Sequence, residues 1–382
     1  MKKILLILFI LPAFIYAQDF PLAGLKVWQD IKQKDSLTFI FIGDIMGHEP
    51  QIQSAFDTEN GKYNYEGVFK KVSHIIKNAD FAIANLEVTL AGKPYTGYPR
   101  FSSPDALAAA CKNNGIDVLV TANNHSCDKG KKGILRTIKV LDSLEIHHTG
   151  TFSNSLDKEN NNLLILNKNN IKVGLLNYTY GTNGLPTPKP TFVNRIDTLE
   201  MLLDIQKSKA LFLDKLIVML HWGRQYESQP SKSQIKLAEF LFKNGVDIII
   251  GSHPHVLQKM EYLQKNKEND EHLIAYSLGN FVSNQRQRKR DGAAMLQLTL
   301  TKNNSEISIS NYGYYLTWVY KPIIDGKTTF EIVPCSMLES NNFDDVDLKS
   351  KEKMKLFMSD SRALLNKENI KIKEIKMNTD KE

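Results

Sequence analysis

Cysteine is scarce in this chain. Cys111, Cys127 and Cys335 are the only thiols in 382 residues, they stand far apart, and no C-x-x-C pair occurs. A disulfide-stapled scaffold and a thiolate-rich structural zinc site are therefore excluded, and at most one disulfide can form. Long apolar runs are as rare: beyond the first 17 residues none reaches the ~20 that a bilayer span needs. No stripe of Lys and Arg interleaved with aromatics marks a nucleic-acid groove, so nucleic acid is not an expected partner. Internal repeats are absent as well.

The one marked apolar run, 4–16, follows Met1-Lys2-Lys3 and ends at Ala17-Gln18. A basic head, a short apolar body and a small residue at the exit make a secretory signal. We expect residues 1–17 to be removed and the product exported, periplasmic or extracellular, with no transmembrane segment left after cleavage. The competing reading is a retained membrane anchor, which the shortness of the run disfavours. No cysteine follows the run, so a lipid anchor is not expected.

The chain as a whole has ordinary globular composition, 42% hydrophobic and 24% charged, enough for a large core. The net charge of +7 is mildly basic and suits an anionic partner such as a phosphorylated or carboxylated polymer. After a polar lead-in (18–36), apolar β-branched runs at 37–44, 80–87, 117–123, 216–221, 246–251 and 273–278 each stop at polar or Gly-rich residues. Helical patterns fill 65–78, 104–114, 130–144, 196–210 and 231–244. Strands alternating with helices predict an α/β layered fold, whose ligands sit beyond the carboxyl ends of the strands. Short period-two strands at 293–300, 306–310 and 329–333 predict an antiparallel edge, and the segments near 158–170 and 264–271 read as hairpin tips. We place one main domain at 37–338 and a charged tail, with a peripheral helix and a frayed end, at 339–382.

The histidines carry the functional signal. Of nine in the chain, His48, His125, His221, His253 and His255 fall at strand ends or in the loops beside them. His253 and His255, two apart after a strand, would point the same way in an extended segment and could chelate. Asp44 and Glu87 end the first two strands, and Asn123-Asn124-His125 ends the third. Each has a bland reading on its own: a helix cap, an Asx turn, a satisfied core histidine. Together at the same end of successive strands they point to one cause, a metal site. Carboxylate, amide and imidazole donors suit Mn, Fe or Zn. The candidate ligands Asp44, Glu87, Asn124, His221, His253 and His255 exceed what one tetrahedral ion uses, so a dinuclear centre bridged by Glu87 is expected.

These motifs resemble a known family. Gly43-Asp44-Ile45-Met46, Asn85-Leu86-Glu87, Ala122-Asn123-Asn124-His125 with Asp128 and Gly130, His221-Trp222-Gly223 with Tyr226, Gly251-Ser252-His253-Pro254-His255-Val256 with Gln258, and Tyr276-Ser277-Leu278-Gly279-Asn280-Phe281 look like the bacterial capsule-synthesis CapA (poly-γ-glutamate) family, in its order, over 37–281. That family is similar in turn to the calcineurin-like metallophosphoesterases. The resemblance implies a four-layer sandwich of two mixed β-sheets flanked by helices. It also implies that Asp44, Glu87 and His255 hold one metal and that Glu87, Asn124, His221 and His253 hold the other. His125 would then act as general acid over the leaving group, while the ions activate water and stabilise the developing oxyanion. We expect His48, Arg100, Asn123 and Asn280 to bind substrate. Three departures stand out: Glu87 replaces the usual Asp of the phosphoesterases, the first motif offers only His48 in place of D-x-H, and Gln225 stands where many relatives carry Glu.

Two functions follow from this pattern. The first is an exported metal-dependent hydrolase of a phosphoester or amide, its substrate an anionic polymer or a phosphorylated small molecule. The second is an accessory protein that binds an anionic polymer during capsule synthesis or export without cleaving it. The basic loop holding Arg286, Arg288, Lys289 and Arg290 is either a solvated surface or a guide for such a polymer.

Overall fold

The computed structural model describes residues 35–264, 271–324, 326–340 and 346–376. The signal segment and nearly all of the lead-in lie outside the described residues, as does the tip at 265–270. In chain order the strands are β1 (Asp35–Ile45), β2 (Phe81–Leu86), β3 (Val118–Val120), β4 (His147–Thr149), β5 (Leu164–Lys168), β6 (Ile171–Thr179), β7 (Lys215–His221), β8 (Ile248–Ser252), β9 (Met260–Gln264), β10 (Glu271–Ala275), β11 (Asn280–Val282), β12 (Gly292–Asn303), β13 (Glu306–Tyr320) and β14 (Glu331–Pro334). The helices that matter to the site and core are α1 (Glu49–Ala55), α2 (Ala106–Asn113), α3 (Gly130–Ser143), α4 (Thr198–Lys209), α5 (Lys232–Asn244) and α6 (Leu348–Glu368).

Two mixed sheets result. The first runs β14-β13-β12-β1-β2-β3-β4, parallel from β1 to β4 and antiparallel beyond β12, with β11 alongside the end of β1. The second runs β9-β10-β8-β7-β6-β5, with four parallel strands in its centre and an antiparallel strand at each edge. Alternation along each strand assigns the layers. Leu37, Phe39 and Phe41 of β1 pack with Ile217 and Met219 of β7 and with Ile248 and Ile250 of β8 in the core between the sheets. The intervening residues turn outward: Ile40 and Ile42 meet Leu107 of α2 and Leu141 of α3, and Val218 and Ile249 meet Met201 of α4 and Leu241 of α5. Helix, sheet, sheet, helix is the expected four-layer sandwich. Each side chain so buried contributes about 1.5–3 kcal/mol against leaving it in water, so the layering is strongly fixed.

Local signals in the sequence explain the helix ends. Ser231 caps α5 in a reciprocal pair with Gln234, and Gly245 ends it in the left-handed conformation at φ 106°. Asp197 caps α4 through the N–H groups of Leu199 and Glu200.

Several expectations are corrected. The helix expected over 65–78 is two short pieces, Glu66–Phe69 and Ser73–Lys77, which keep Phe69, Val72 and Ile76 in the core. Strand β6 was not foreseen, and the Lys158–Asn170 stretch holds more than a tip: a short helix, Ser155–Asn161, and β5 precede the expected hairpin tip, which is Asn169-Asn170 between antiparallel β5 and β6. Helix α6 is less peripheral than its charge suggests. Met354, Phe357, Met358 and Leu365 form one apolar stripe that enters the core between the sheets beside Leu316 and Trp318 of β13. Beyond it Ile370 exchanges backbone hydrogen bonds with Met260 and Tyr262 at 2.9 Å each. Among the described residues no helix is long and apolar enough to cross a membrane, and the three cysteines are buried and unpaired.

Candidate functional site

The parallel strands of both sheets deliver their carboxyl ends to one place. Along β2 the alternation that puts Ile83 in the inter-sheet core carries on to Asn85 and Glu87; along β7 it carries from Ile217 and Met219 to His221. Asp44 sits where β1 loses register with β2 and picks up β11, opposite both Asn85 and Asn280. Gly43 is required there, because a Cβ would run into the carbonyl oxygen of Gly279. Gly251 has the same role one sheet away, against the carbonyl of Tyr276.

His253 and His255 reach the site differently from the expectation. Their segment is not extended: His253 has φ 95° and His255 φ 59°, a left-handed pair around Pro254. Such conformations cost about 1–3 kcal/mol each for non-glycine residues, so the surroundings must over-determine them. The turn sends the two rings to different partners. His253 joins Glu87 and His221, whereas His255 joins Asp44 and Glu87. Glu87 belongs to both groups.

The distances describe a cluster of potential ligand atoms facing one another. Nε2 of His221 lies 2.9 Å from Oδ1 of Asn124, 3.1 Å from Nδ1 of His253 and 3.5 Å from Oε1 of Glu87. Nδ2 of Asn124 donates to Oδ1 of Asn183 at 3.2 Å, which turns the amide oxygen toward His221. Nδ1 of His255 lies 3.1 Å from Oδ2 of Asp44 and 3.0 Å from Oδ1 of Asn280, while its Nε2 is 3.8 Å from Oε1 of Glu87. Asn85 donates to Oδ1 of Asp44 at 2.8 Å and sits 3.3 Å from Nδ1 of His221, tying the two sheets together.

Glu87 is the anomaly in this arrangement. Its side chain has no exposure, and neither carboxylate oxygen has a hydrogen-bond partner among the described residues. Burial, then the neighbouring Asp44, push its carboxyl well above the usual carboxylate range. Burial likewise lowers His253 to about 3 and holds His221 well below the ordinary histidine value, so both rings are neutral at neutral pH. A buried carboxylate ringed by neutral imidazoles and an amide oxygen is a donor set that could hold a divalent metal, and such an ion would offset the otherwise costly burial of Glu87.

A cleft of about 620 Å³ opens over this cluster, lined among others by His48, Arg100, Asn124, His125, Gln225, Tyr226, His255 and Arg290. Within it His125 holds its Nδ1 2.7 Å from Oδ2 of Asp128, which also accepts the Phe101 N–H at 2.7 Å. Because a carboxylate only accepts, Nδ1 carries a hydrogen, and Nε2 is the ring nitrogen left free of Asp128. Phe101 packs edge-on against the ring at 4.6 Å.

The four residues expected to bind substrate separate. Arg100 is exposed on the cleft wall. His48 also lines the cleft, but it caps α1, with Nδ1 3.1 Å from Oε1 of Gln51 and 3.3 Å from the Asn284 N–H; burial lowers it to about 4. Asn123 does not line the cleft: its Nδ2 donates to the Leu86 carbonyl at 2.7 Å and its Oδ1 accepts the His125 N–H at 3.0 Å. Asn280 is buried between His255 and the carbonyl of Arg290. These two asparagines lock loops in place, because their amides are already used.

Three contributors had escaped sequence reasoning. Asn85 shares a strand face with Glu87, which alternation could have shown. Ser252, with Oγ 3.0 Å from Nδ1 of His221, follows from the same parity in β8. Tyr180, packed at 4.5 Å on His253, has no local signal.

Comparison with known proteins agrees with the motifs. Residues 38–285 match the family model described as bacterial capsule synthesis protein PGA_cap. The chain is 30% identical over 289 residues to the capsule biosynthesis protein CapA of Bacillus anthracis, covering 72% of this chain and 67% of that one. It is 25% identical over 303 residues to the PGA biosynthesis protein CapA of Bacillus subtilis strain 168, covering 77% and 74%. Among solved structures it is similar to the calcineurin-like phosphoesterase YfkN of Bacillus subtilis, at 14% identity and a TM-score of 0.43 over 86% of this chain and 98% of that one. With the model spanning every motif described above, this chain belongs to the bacterial capsule synthesis (PGA_cap) family.

Proposed function

We propose that the chain is an exported, metal-dependent hydrolase that cleaves a phosphoester or amide bond in an anionic polymer of the cell envelope. Glu87 carries this reading: a fully buried carboxylate whose oxygens have no hydrogen-bond partner among the described residues and which belongs to both groups of side chains that could hold a metal. In this proposal Asp44, Glu87 and His255 hold one ion and Glu87, Asn124, His221 and His253 the other, drawn from Mn, Fe and Zn. When bound, the pair supplies an activated water and Lewis-acid stabilisation of the charge developing on the scissile group.

The chain's own residues do the rest. Asp128 fixes the His125 ring through Nδ1, and the ring acts as general acid when Nε2 carries a proton as well, giving that proton to the departing oxygen or nitrogen. Asn85 and Ser252 orient Asp44 and His221 from behind. Membership of the family supports a role in capsule metabolism, and the cleft of about 620 Å³ over the cluster is large enough to take a short chain segment.

The test is turnover of p-nitrophenyl phosphate and γ-glutamyl-p-nitroanilide. Chelation should abolish hydrolysis, Mn or Zn should restore it, and His253→Ala with His255→Ala should leave none. Full turnover by that double variant would dispose of the proposal. Tight polymer binding without turnover under any metal would favour the accessory reading.

A further inference from the structure

The four cations of the 286–290 loop have different surroundings. Arg288 pairs with Asp360 of α6. Arg286 also lines the cleft, but it donates to the Val319 carbonyl at 2.8 Å and lies over the Trp318 ring at 5.5 Å, so part of its guanidinium is committed to the fold. Lys289 is exposed and does not line the cleft. Arg290 lines the cleft, and among the described residues its guanidinium makes no ion pair or hydrogen bond; it lies over the Tyr226 ring, 3.2 Å from the centroid.

Both halves of that stack are anchored to the metal-ligand segments. The Arg290 carbonyl accepts from Nδ2 of Asn280, whose Oδ1 faces His255. The Tyr226 N–H donates at 2.8 Å to the carbonyl of Pro254, between His253 and His255, and Tyr226 itself adopts φ 71°. The tyrosine ring stands 6.1 Å from that of His255. A stacked guanidinium uses its face and leaves its in-plane N–H donors, which match the oxygens of a carboxylate or phosphate. The only acidic side chain among the lining residues is Asp128, already bonded to His125 and Phe101.

We propose that Arg290, seated on Tyr226, is a specificity-determining residue that binds a second anionic group of the substrate, a carboxylate or phosphate beside the bond to be cleaved. This rests on the functional reading above only in placing substrate in the cleft. The pair selects a polyanionic chain over a monoanionic small molecule, because only the former has a charge left for Arg290 once its scissile group occupies the centre.

Calorimetric titration of the full protein tests this without turnover. Oligo-γ-glutamate supplies the carboxylate arm, oligo-glycerol phosphate the phosphate arm, and an uncharged oligo-γ-glutamine the control. We expect one anionic oligomer to bind and the control not to. Arg290→Gln should weaken that binding at least tenfold and Tyr226→Leu several-fold, with Tyr226→Phe near wild type. Arg288→Gln, the same charge change in the same loop, should alter it less than twofold. Equal weakening by Arg290→Gln and Arg288→Gln, or no binding of either anionic oligomer, would overturn the proposal. Binding lost in Arg290→Gln without cleavage by the wild type would sink the hydrolase and keep the clamp; cleavage with an unchanged KM in Arg290→Gln would do the reverse.

Discussion

Glu87 is fully buried beside Asp44 and no donor among the described residues bonds its oxygens, so in the metal-free protein its carboxyl is held well above the ordinary carboxylate range. That has a sign. A folded-state pKa raised above the unfolded value gives stability that is lost as pH climbs through the folded value. His221 and His253 work the opposite way: held low in the folded state, they cost stability only as pH falls below about 6.5, where the unfolded chain takes up protons. Above pH 6.5 the Glu87 contribution stands alone among these three, with a slope of up to about 1.4 kcal/mol per pH unit. We therefore predict that the chelated protein melts at a lower temperature at pH 8 than at pH 6.5. Metal should remove that slope and release a proton on binding, measurable by calorimetry in buffers of different ionisation heat. A chelated protein with the same melting temperature at both values would contradict this. At this scale the sequence displayed the chemistry clearly, since His221, His253, His255, Asp44 and Glu87 all meet. It was silent on Asn123 and Asn280, because an amide that binds a ligand and one that fastens a loop look alike until their partners are known.

At the scale of elements, the site depends on close approaches of backbone that only glycine allows. Gly43 lets the Gly279 segment and β11 lie against the end of β1, and so places Asn280 beside His255. Gly43→Ala should force that segment away, costing about 1–3 kcal/mol of stability in a urea melt and weakening metal retention at the same time. Wild-type stability and metal content in the variant would show that the approach is not needed. The strands that end in functional residues were legible because each is an apolar run stopping at polar groups. The conformation of 253–255 was not: alternation assumes extended backbone, whereas His253 and His255 are left-handed. The charged tail misled for a related reason. Its few apolar residues, Met354, Phe357, Met358 and Leu365, look sparse in composition but share one helical stripe.

Across the whole molecule, the candidate centre draws on both sheets. Asp44 lies at the end of β1, and Glu87 and Asn124 follow β2 and β3 of one sheet; His221 ends β7, and His253 and His255 follow β8 of the other. The fold class could be read from alternating strands and helices, but the sheet order could not, because no local signal says that β12 returns beside β1 or that β6 lies between β5 and β7. The most direct test of the shared centre is a count of ions per chain by plasma mass spectrometry after loading with Mn or Zn and desalting, for the wild type and for Glu87→Ala. Two ions in the wild type and at most one in the variant is the predicted result. No ion retained by the wild type, or the same number retained by both proteins, would contradict it.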